Sequence, residues 1–202
     1  VNSDVTSAIK ILQKHADETI KERSNLLKLN NCKDIVAFQR IPKAQRIYPE
    51  DYGENTNLDR HIIVVDEAFD LFMSGPYANA QDIAKSRRSA SKIAAQGRAV
   101  GIHLVIATQR PDRNALDPQT KANLTGKVCF RAANIASSMT ILDNKRAFDI
   151  PNIKGRAIWQ SSSDLEEIQT PFLSEEKAKD LLKQYYRKAK NYSPEKDVYN
   201  EK

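Results

Sequence analysis

An unbroken run of β-branched residues that ends in two acids is the feature that most constrains how this chain can fold. Residues 62–65 read Ile-Ile-Val-Val, and Asp66 and Glu67 follow directly. Such a run is typical of a strand that is buried on both faces of a parallel sheet. Ligand sites in open parallel sheets lie beyond the carboxyl ends of the strands. The pattern therefore predicts two carboxylates at a ligand-binding edge.

A second apolar run, over residues 102–107, predicts the neighbouring strand. Residues 79–99 lie between the two runs and carry apolar or small side chains at helical spacing, and Gly101 ends that segment. A strand, a helix and a strand in succession form a crossover unit, in which the two strands are parallel. Residues 108–110, which read Thr-Gln-Arg, are therefore expected at the same edge as Asp66.

The rest of the sequence predicts one α/β domain, with a mostly parallel sheet flanked by helices and with late antiparallel strands. Inside its core we expect a third strand over residues 127–132, a helix over 135–142, and an antiparallel pair over 155–160 and 168–172. The domain is expected to comprise a helical lead-in (3–40), a loop (41–60), a catalytic core (61–173), a C-terminal helix (174–190) and a flexible tail (191–202).

Charge and composition narrow the classes of function. The formal net charge of +6 suits a polyanionic partner such as DNA, because lysines and arginines release counterions from phosphates. No apolar run approaches the roughly 20 residues that span a bilayer, so any membrane anchor is expected outside this segment. Cys32 and Cys129 lack the spacing of metal ligands and suit a reducing compartment.

Carboxylates at the end of a strand suit nucleotide hydrolysis. One acid can hold Mg²⁺ through water while the other orients the attacking water, and a polar side chain on the next strand can lie between that water and the γ-phosphate. A plainer interpretation is that Asp66 and Glu67 begin a helix, where the dipole favours acids. Residues 108–110 would then be a polar turn before Pro111. The spacing alone leaves both interpretations open.

Four longer strings occur in a fixed order: IIVVDEAFDLFM, GRAVGIHLVIATQRP, KANLTGKVCF and TILD. Their wording, order and spacing resemble the second half of the motor domain of the FtsK/SpoIIIE family of hexameric DNA translocases. The resemblance extends from about Asp4 to Ile158. It implies a RecA-like P-loop NTPase core that uses ATP and Mg²⁺, forms a homo-oligomeric ring and moves double-stranded DNA in chromosome segregation or conjugative transfer.

The resemblance also implies roles for residues at the two strand ends. Asp66 corresponds to the acid that positions Mg²⁺, and Glu67 corresponds to the catalytic glutamate that polarises water. Gln109, with Thr108 beside it, corresponds to the polar sensor of the γ-phosphate. Arg110 is a further candidate for nucleotide binding, although it could instead pair with a local carboxylate.

Arg98, in the string Gly-Arg-Ala at residues 97–99, corresponds by the same resemblance to an arginine that these motors present to the nucleotide of the neighbouring subunit. A guanidinium there would neutralise charge that grows on the phosphoryl oxygens. The alternative is a cation that the dipole favours at the C-terminus of a helix.

Contacts to DNA are expected, by resemblance, on loops that face the pore of the ring, at residues 111–121 and 74–81. Arg113, Lys121 and Lys127 are the candidate cations, and phosphate contacts suffice for a motor that must move over any sequence. The alternative is a solvated charged loop. A basic patch on the helix before Arg98 is interpreted as an exposed face; it consists of Lys85, Arg87, Arg88 and Lys92.

The sequence departs from the family pattern in one important respect. No GxxxxGK[ST] phosphate-binding loop occurs in the 202 residues. We therefore expect a segment of a longer motor that lacks the N-terminal part of the core and is inactive in isolation. That motor is expected in the cytoplasm, at the inner face of the bacterial cell membrane through regions outside this segment. The alternatives are a secretion-system coupling ATPase that moves protein, and a nucleotide-free degenerate subunit with a DNA-binding or structural role.

Overall fold

The computed structural model describes residues 5–49, 58–73, 79–112 and 118–189, with side chains up to residue 183. Helix α1 (Val5–Lys14) continues through a π-helical turn (His15–Thr19) into α2 (Ile20–Leu29). This segment buries an apolar stripe that includes Ile9, Leu12 and Leu26. The short helix α3 (Ile35–Arg40) follows, and the Asp34 carboxylate caps it by accepting a hydrogen bond from the Ala37 amide at 2.8 Å.

The next elements form the expected crossover unit. Strand β1 (His61–Val65) leads through α4 (Ala68–Phe72), α5 (Ala80–Gln96) and a 3₁₀ turn (Gly97–Val100) to strand β2 (Ile102–Ile106). The two strands are parallel, with His61 opposite Ile102 and Val65 opposite Ile106. The prediction of two neighbouring parallel strands is confirmed.

The expectation that β1 is buried on both faces is wrong for the residues that the structure describes. Ile62 and Val64 are 68% and 64% exposed, whereas Val65 is buried. The core that includes Leu12, Leu26 and Ile93 packs on one face of the sheet, so only alternate side chains of β1 are covered.

A second, antiparallel sheet follows after α6 (Pro118–Asn123). It contains β3 (Gly126–Phe130), β4 (Arg156–Ser161) and β5 (Asp164–Gln169), in that order. Helices α7 (Ile135–Leu142) and α8 (Arg146–Asp149) connect β3 to β4. The predicted last strand, at residues 168–172, is wrong in position. Ser162 adopts the left-handed conformation (φ 56°) of a tight hairpin, so β5 begins at Asp164.

Two hydrophobic clusters stabilise these layers. The larger includes Leu26, Phe38, Phe72 and Ile93 and lies between the helices and the parallel strands. The smaller lies against the antiparallel sheet and includes Leu142, Ala147 and Ile158. The last helix, α9 (Glu175–Ala189), begins after Ser174, whose hydroxyl accepts a hydrogen bond from the Lys177 amide at 3.2 Å. The expected start of this helix is therefore confirmed.

Candidate functional site

The carboxyl ends of β1 and β2 form one continuous edge. Beyond the strands, the Ala107 amide donates to the Val65 carbonyl at 2.8 Å, and the Ala68 amide donates to the Ala107 carbonyl at 2.9 Å. These bonds continue the ladder to the residues that follow each strand. The backbone itself therefore holds residues 66–68 beside residues 107–109, as the sequence predicted.

Glu67 is the centre of this edge. It is the N-cap of α4, and one carboxylate oxygen, Oε1, accepts hydrogen bonds from the Phe69 amide (3.1 Å) and from the Thr108 hydroxyl. The other oxygen, Oε2, accepts from the Gln109 amide at 3.0 Å. The plainer interpretation, an acid that begins a helix, is thus correct for Glu67. Glu67 also makes the predicted contact with the end of the neighbouring strand. The same residue can therefore begin a helix and face a ligand-binding edge.

Two opposing effects act on the pKa of Glu67. Partial burial raises this pKa, but the hydrogen bonds from Thr108, Gln109 and Phe69, together with the charge of Arg110, outweigh burial and lower it below its usual value. Arg110 also stacks on the Phe69 ring, with its guanidinium carbon 5.5 Å from the ring centroid. Glu67 is therefore an ionised carboxylate of fixed orientation at neutral pH.

Asp66 differs from its neighbour because it is exposed at the rim of the edge. In the parts of the chain that the structure describes, no cluster of three or more His, Cys, Asp or Glu residues surrounds it. Mg²⁺ commonly keeps several waters and takes only one or two carboxylates, with substrate phosphates completing its shell. A single exposed carboxylate beside an anchored one fits such a water-mediated ion.

Helix α5 holds the other end of α4, and this support was not predicted from the sequence. Arg87 Nε donates to the Phe72 carbonyl at 2.8 Å, and the buried Ser86 hydroxyl lies 3.0 Å from the Leu71 carbonyl. The last carbonyls of a helix have no partner within it, so these contacts fix the helix that Glu67 begins. The interpretation of Arg87 as part of an exposed basic face is wrong, because its side chain is half-buried. The sequence does give one indication of this contact: the neighbouring Ser86 is a polar residue at a position of the buried stripe of α5.

Arg98 lies at the opposite edge of the sheet. It is exposed in the 3₁₀ turn that precedes β2, whereas Thr108 follows that strand. The five residues of β2 alone span about 16 Å at roughly 3.3 Å per residue. The geometry therefore brings together Asp66, Glu67, Thr108 and Gln109, and it separates Arg98 from them.

The candidate DNA-binding cations have local partners where the structure describes them. Lys121 Nζ donates to the Thr140 carbonyl at 2.9 Å, and Lys127 Nζ lies 3.6 Å from an Asp143 carboxylate oxygen. Both line a cleft of about 810 Å³ between β2 and β3, which reaches Thr108. These contacts favour a structural role for the two lysines. Arg113 and residues 74–78 lie outside the described part of the chain.

The fold is that of the P-loop ATPases. The pCW3 conjugation coupling protein TcpA, solved in a monomer form with ATPγS, superposes with a TM-score of 0.73 and is 27% identical; the match covers 91% of this chain and 50% of that one. The cytoplasmic domain of the Type VII secretion ATPase EccC from Thermomonospora curvata shares the fold at 17% identity, with a TM-score of 0.61 over 83% of this chain and 18% of that one.

The family follows from the sequence comparison. The profile of the FtsK/SpoIIIE family matches residues 1–113, more than half of the chain. The chain therefore belongs to the FtsK/SpoIIIE family. The DNA translocase FtsK of Oceanobacillus iheyensis is 28% identical over 184 residues, which cover 90% of this chain and 22% of that protein. No helix among the described residues combines the length and the hydrophobicity needed to cross a membrane.

Proposed function

We propose that this chain supplies the hydrolytic edge of an ATP-driven motor that moves double-stranded DNA. The observation that carries the proposal is the Glu67 carboxylate, which the Thr108 hydroxyl and the Gln109 amide hold at the carboxyl ends of two parallel strands. Membership of the FtsK/SpoIIIE family supports ATP as the substrate. The relatives named DNA translocase support DNA as the cargo.

Tight binding of the nucleotide requires protein groups that the 202 residues do not contain. Backbone amides of a glycine-rich loop and its lysine usually hold the phosphates, and no such motif occurs in the 202 residues. We call this chain, together with a phosphate-binding loop, the complete ATPase. In it Asp66 would hold Mg²⁺ through water, and the ion would neutralise charge on the phosphates. Without the loop, the 202-residue chain is expected to have little activity.

Glu67 is suited to orient and polarise water rather than to retain a proton. Its pKa is lowered by hydrogen bonds, so the carboxylate remains ionised and is a weak base. One of its oxygens can accept a hydrogen bond from the attacking water while the protein donors fix its direction. Gln109, whose side chain is exposed beside it, is proposed to contact the γ-phosphate.

The position of Arg98 supports a ring in which each subunit acts on its neighbour's nucleotide. The turn that carries Arg98 and the edge that carries Glu67 lie at opposite ends of β2, whose five residues span about 16 Å, so Arg98 is placed away from the site of its own chain. In a ring, opposite edges of adjacent subunits can meet. We therefore propose Arg98 as the arginine that stabilises charge on the transferred phosphoryl group in trans.

A motor that moves protein is the second candidate, because the Type VII secretion ATPase EccC has the same fold. At 17% identity, that similarity supports the fold alone. We prefer DNA because the more similar relatives are DNA translocases. The use of ATP and the two free cysteines, Cys32 and Cys129, favour a cytoplasmic location.

The experiment that tests the proposal compares the complete ATPase with its Glu67→Gln variant. Steady-state ATP hydrolysis is measured with and without duplex DNA, and ATP binding is measured separately. We expect duplex DNA to stimulate hydrolysis, and we expect the variant to lose turnover by at least about a hundredfold while ATP binding is retained. Normal hydrolysis by the variant would refute the role of Glu67, and an absence of stimulation by DNA would refute the cargo.

A further inference from the structure

A buried arginine in the helical lead-in contacts the turn that carries Arg98. Arg23 lies on α2 and is only 7% exposed. Its Nη1 donates to the Val100 carbonyl at 3.0 Å and to the Asp59 carbonyl at 2.8 Å, and its Nη2 donates to His61 Nε2 at 2.7 Å. One guanidinium therefore joins the lead-in helix, the segment before β1 and the end of the 3₁₀ turn.

The carbonyl that Arg23 contacts in the turn is the last one of a helix. Carbonyls at helix C-termini have no partner within the helix, and a cation there also compensates the helix dipole. Val100 is buried, so water is a poor substitute for the guanidinium at this position. Loss of Arg23 would leave this buried carbonyl unsatisfied, which destabilises the turn.

The backbone transmits this contact to Arg98. The Gly101 amide donates to the Arg98 carbonyl at 3.3 Å, and the His61 amide donates to the Gly101 carbonyl at 2.9 Å. His61 also accepts a hydrogen bond from Arg23 through its ring. Arg23 thus contacts His61, at one end of this hydrogen-bonded chain, and Val100, which lies between Arg98 and Gly101 in the turn.

Close packing fixes the other side of the turn. A Cβ atom added at Gly97 would lie 2.6 Å from the Ile102 carbonyl oxygen. Gly101 has φ 77°, and a Cβ atom there would lie 2.3 Å from Ile35 Cδ1. Backbone contacts and one guanidinium therefore hold the turn at both ends, while the Arg98 side chain remains exposed.

We propose that Arg23 is a positioning residue: it fixes the 3₁₀ turn so that Arg98 is held ready to contact the nucleotide of the neighbouring subunit. The inference rests on the proposed function, because it assigns Arg23 an effect on a site of another subunit. It predicts that Arg23 serves hydrolysis in trans and leaves the Glu67 site of its own chain intact.

Mixed rings of the complete ATPase distinguish these two effects. Arg23→Lys keeps the charge but cannot donate in the same planar geometry, and Arg23→Leu removes both. We expect rings made only of Arg23→Leu subunits to lose at least about tenfold in kcat, with Arg23→Lys between this value and wild type. The exposed Lys21, on the same helix, provides the matched control, and Lys21→Leu is expected to retain the wild-type kcat.

The variant that is mixed with the Arg23 variants then decides whether Arg23 acts on the neighbouring subunit or on its own chain. Glu67→Gln subunits carry an intact Arg98, so mixing them with Arg23 variants is expected to restore part of the activity. Arg98→Ala subunits lack that arginine, so mixing them with Arg23 variants is expected to restore nothing. If Arg98→Ala subunits do restore activity, Arg23 acts on the site of its own chain and the inference is overturned. Where Arg23→Leu fails to fold, Arg23→Lys is tested in the same two mixtures.

Hydrogen exchange of the 202-residue chain tests the contact without any hydrolysis. The amides of Gly101 and His61 are expected to exchange at least about tenfold faster in Arg23→Lys than in wild type and Lys21→Leu. Unchanged exchange at both amides would overturn the inference. If the wild-type complete ATPase shows no hydrolysis at all, the proposed function fails, and the exchange result still decides whether Arg23 fixes the turn.

Discussion

The Thr108 hydroxyl donates a hydrogen bond to the Glu67 carboxylate, across residues that are 41 positions apart in the sequence. The Arg110 amide in turn donates to the Thr108 oxygen at 3.0 Å, and the Arg110 carbonyl lies 3.2 Å from the same hydroxyl. The end of one parallel strand thereby sets the direction of a carboxylate at the end of the next. The proposed catalytic glutamate and the proposed sensor form one hydrogen-bonded unit.

Replacing Thr108 tests whether this unit matters for hydrolysis. Thr108→Val removes the donor at nearly constant volume, so Glu67 loses one of its three donors and its orientation. We expect kcat of the complete ATPase to fall by at least about tenfold with a smaller change in KM. Thr108→Ser keeps the hydroxyl and is the control; we expect it to hydrolyse ATP within about threefold of wild type. A Val variant with the wild-type kcat would contradict the arrangement.

Arg87 provides a test of how α4 is supported. Arg87→Met removes the donor to the Phe72 carbonyl at the end of the helix that Glu67 begins. We expect the free energy of unfolding to fall by about 1–2 kcal/mol, measured by urea denaturation of the 202-residue chain. Arg88→Met is the matched control, because Arg88 is the exposed neighbour on α5; a change within about 0.5 kcal/mol is expected. Equal losses in the two variants would argue against a specific contact.

The positions of the two parallel strands could be predicted because the residue types within each strand are themselves typical of β-structure. A β-branched run at residues 62–65 and an apolar run at residues 102–107 identified β1 and β2, and the helix between them indicated that the two strands are parallel. The shared edge followed from that parallel arrangement alone. Ser162 shows the limit of this reasoning. It adopts the left-handed conformation in a two-residue turn, so β5 begins four residues earlier than predicted. Serine is not a residue type that predicts this conformation.

The supporting arginines could not be predicted in the same way. Arg23 and Arg87 donate to backbone carbonyls, 77 positions away in the case of Val100. Every residue has a carbonyl, so the sequence does not indicate which one lacks a partner. A charged residue within an apolar stripe was nevertheless visible: Ala16, Ile20, Arg23 and Leu27 follow helical spacing.

The contact between Arg23 and the ring of His61 makes the stability of the fold depend on pH. Burial, and then the charges of Arg23 and His15, lower the pKa of His61 from its ordinary 6.5 to about 4, although Asp59 opposes the shift. The unfolded chain therefore binds more protons than the folded chain between these two values. Stability contributed by a neutral His61 is present above about pH 6.5 and is lost as the pH falls towards about 4.

The measurement compares unfolding free energies of wild type and His61→Gln across this window. The difference between the two isolates His61 together with its electrostatic interactions with Arg23, His15 and Asp59. We expect wild type to lose more stability than the variant on acidification, by about 1 kcal/mol once the partial exposure of the ring is taken into account. Parallel pH profiles for wild type and His61→Gln would contradict this coupling between Arg23 and the neutral ring. They would mean that the His61 ring can be protonated beside the guanidinium without loss of stability.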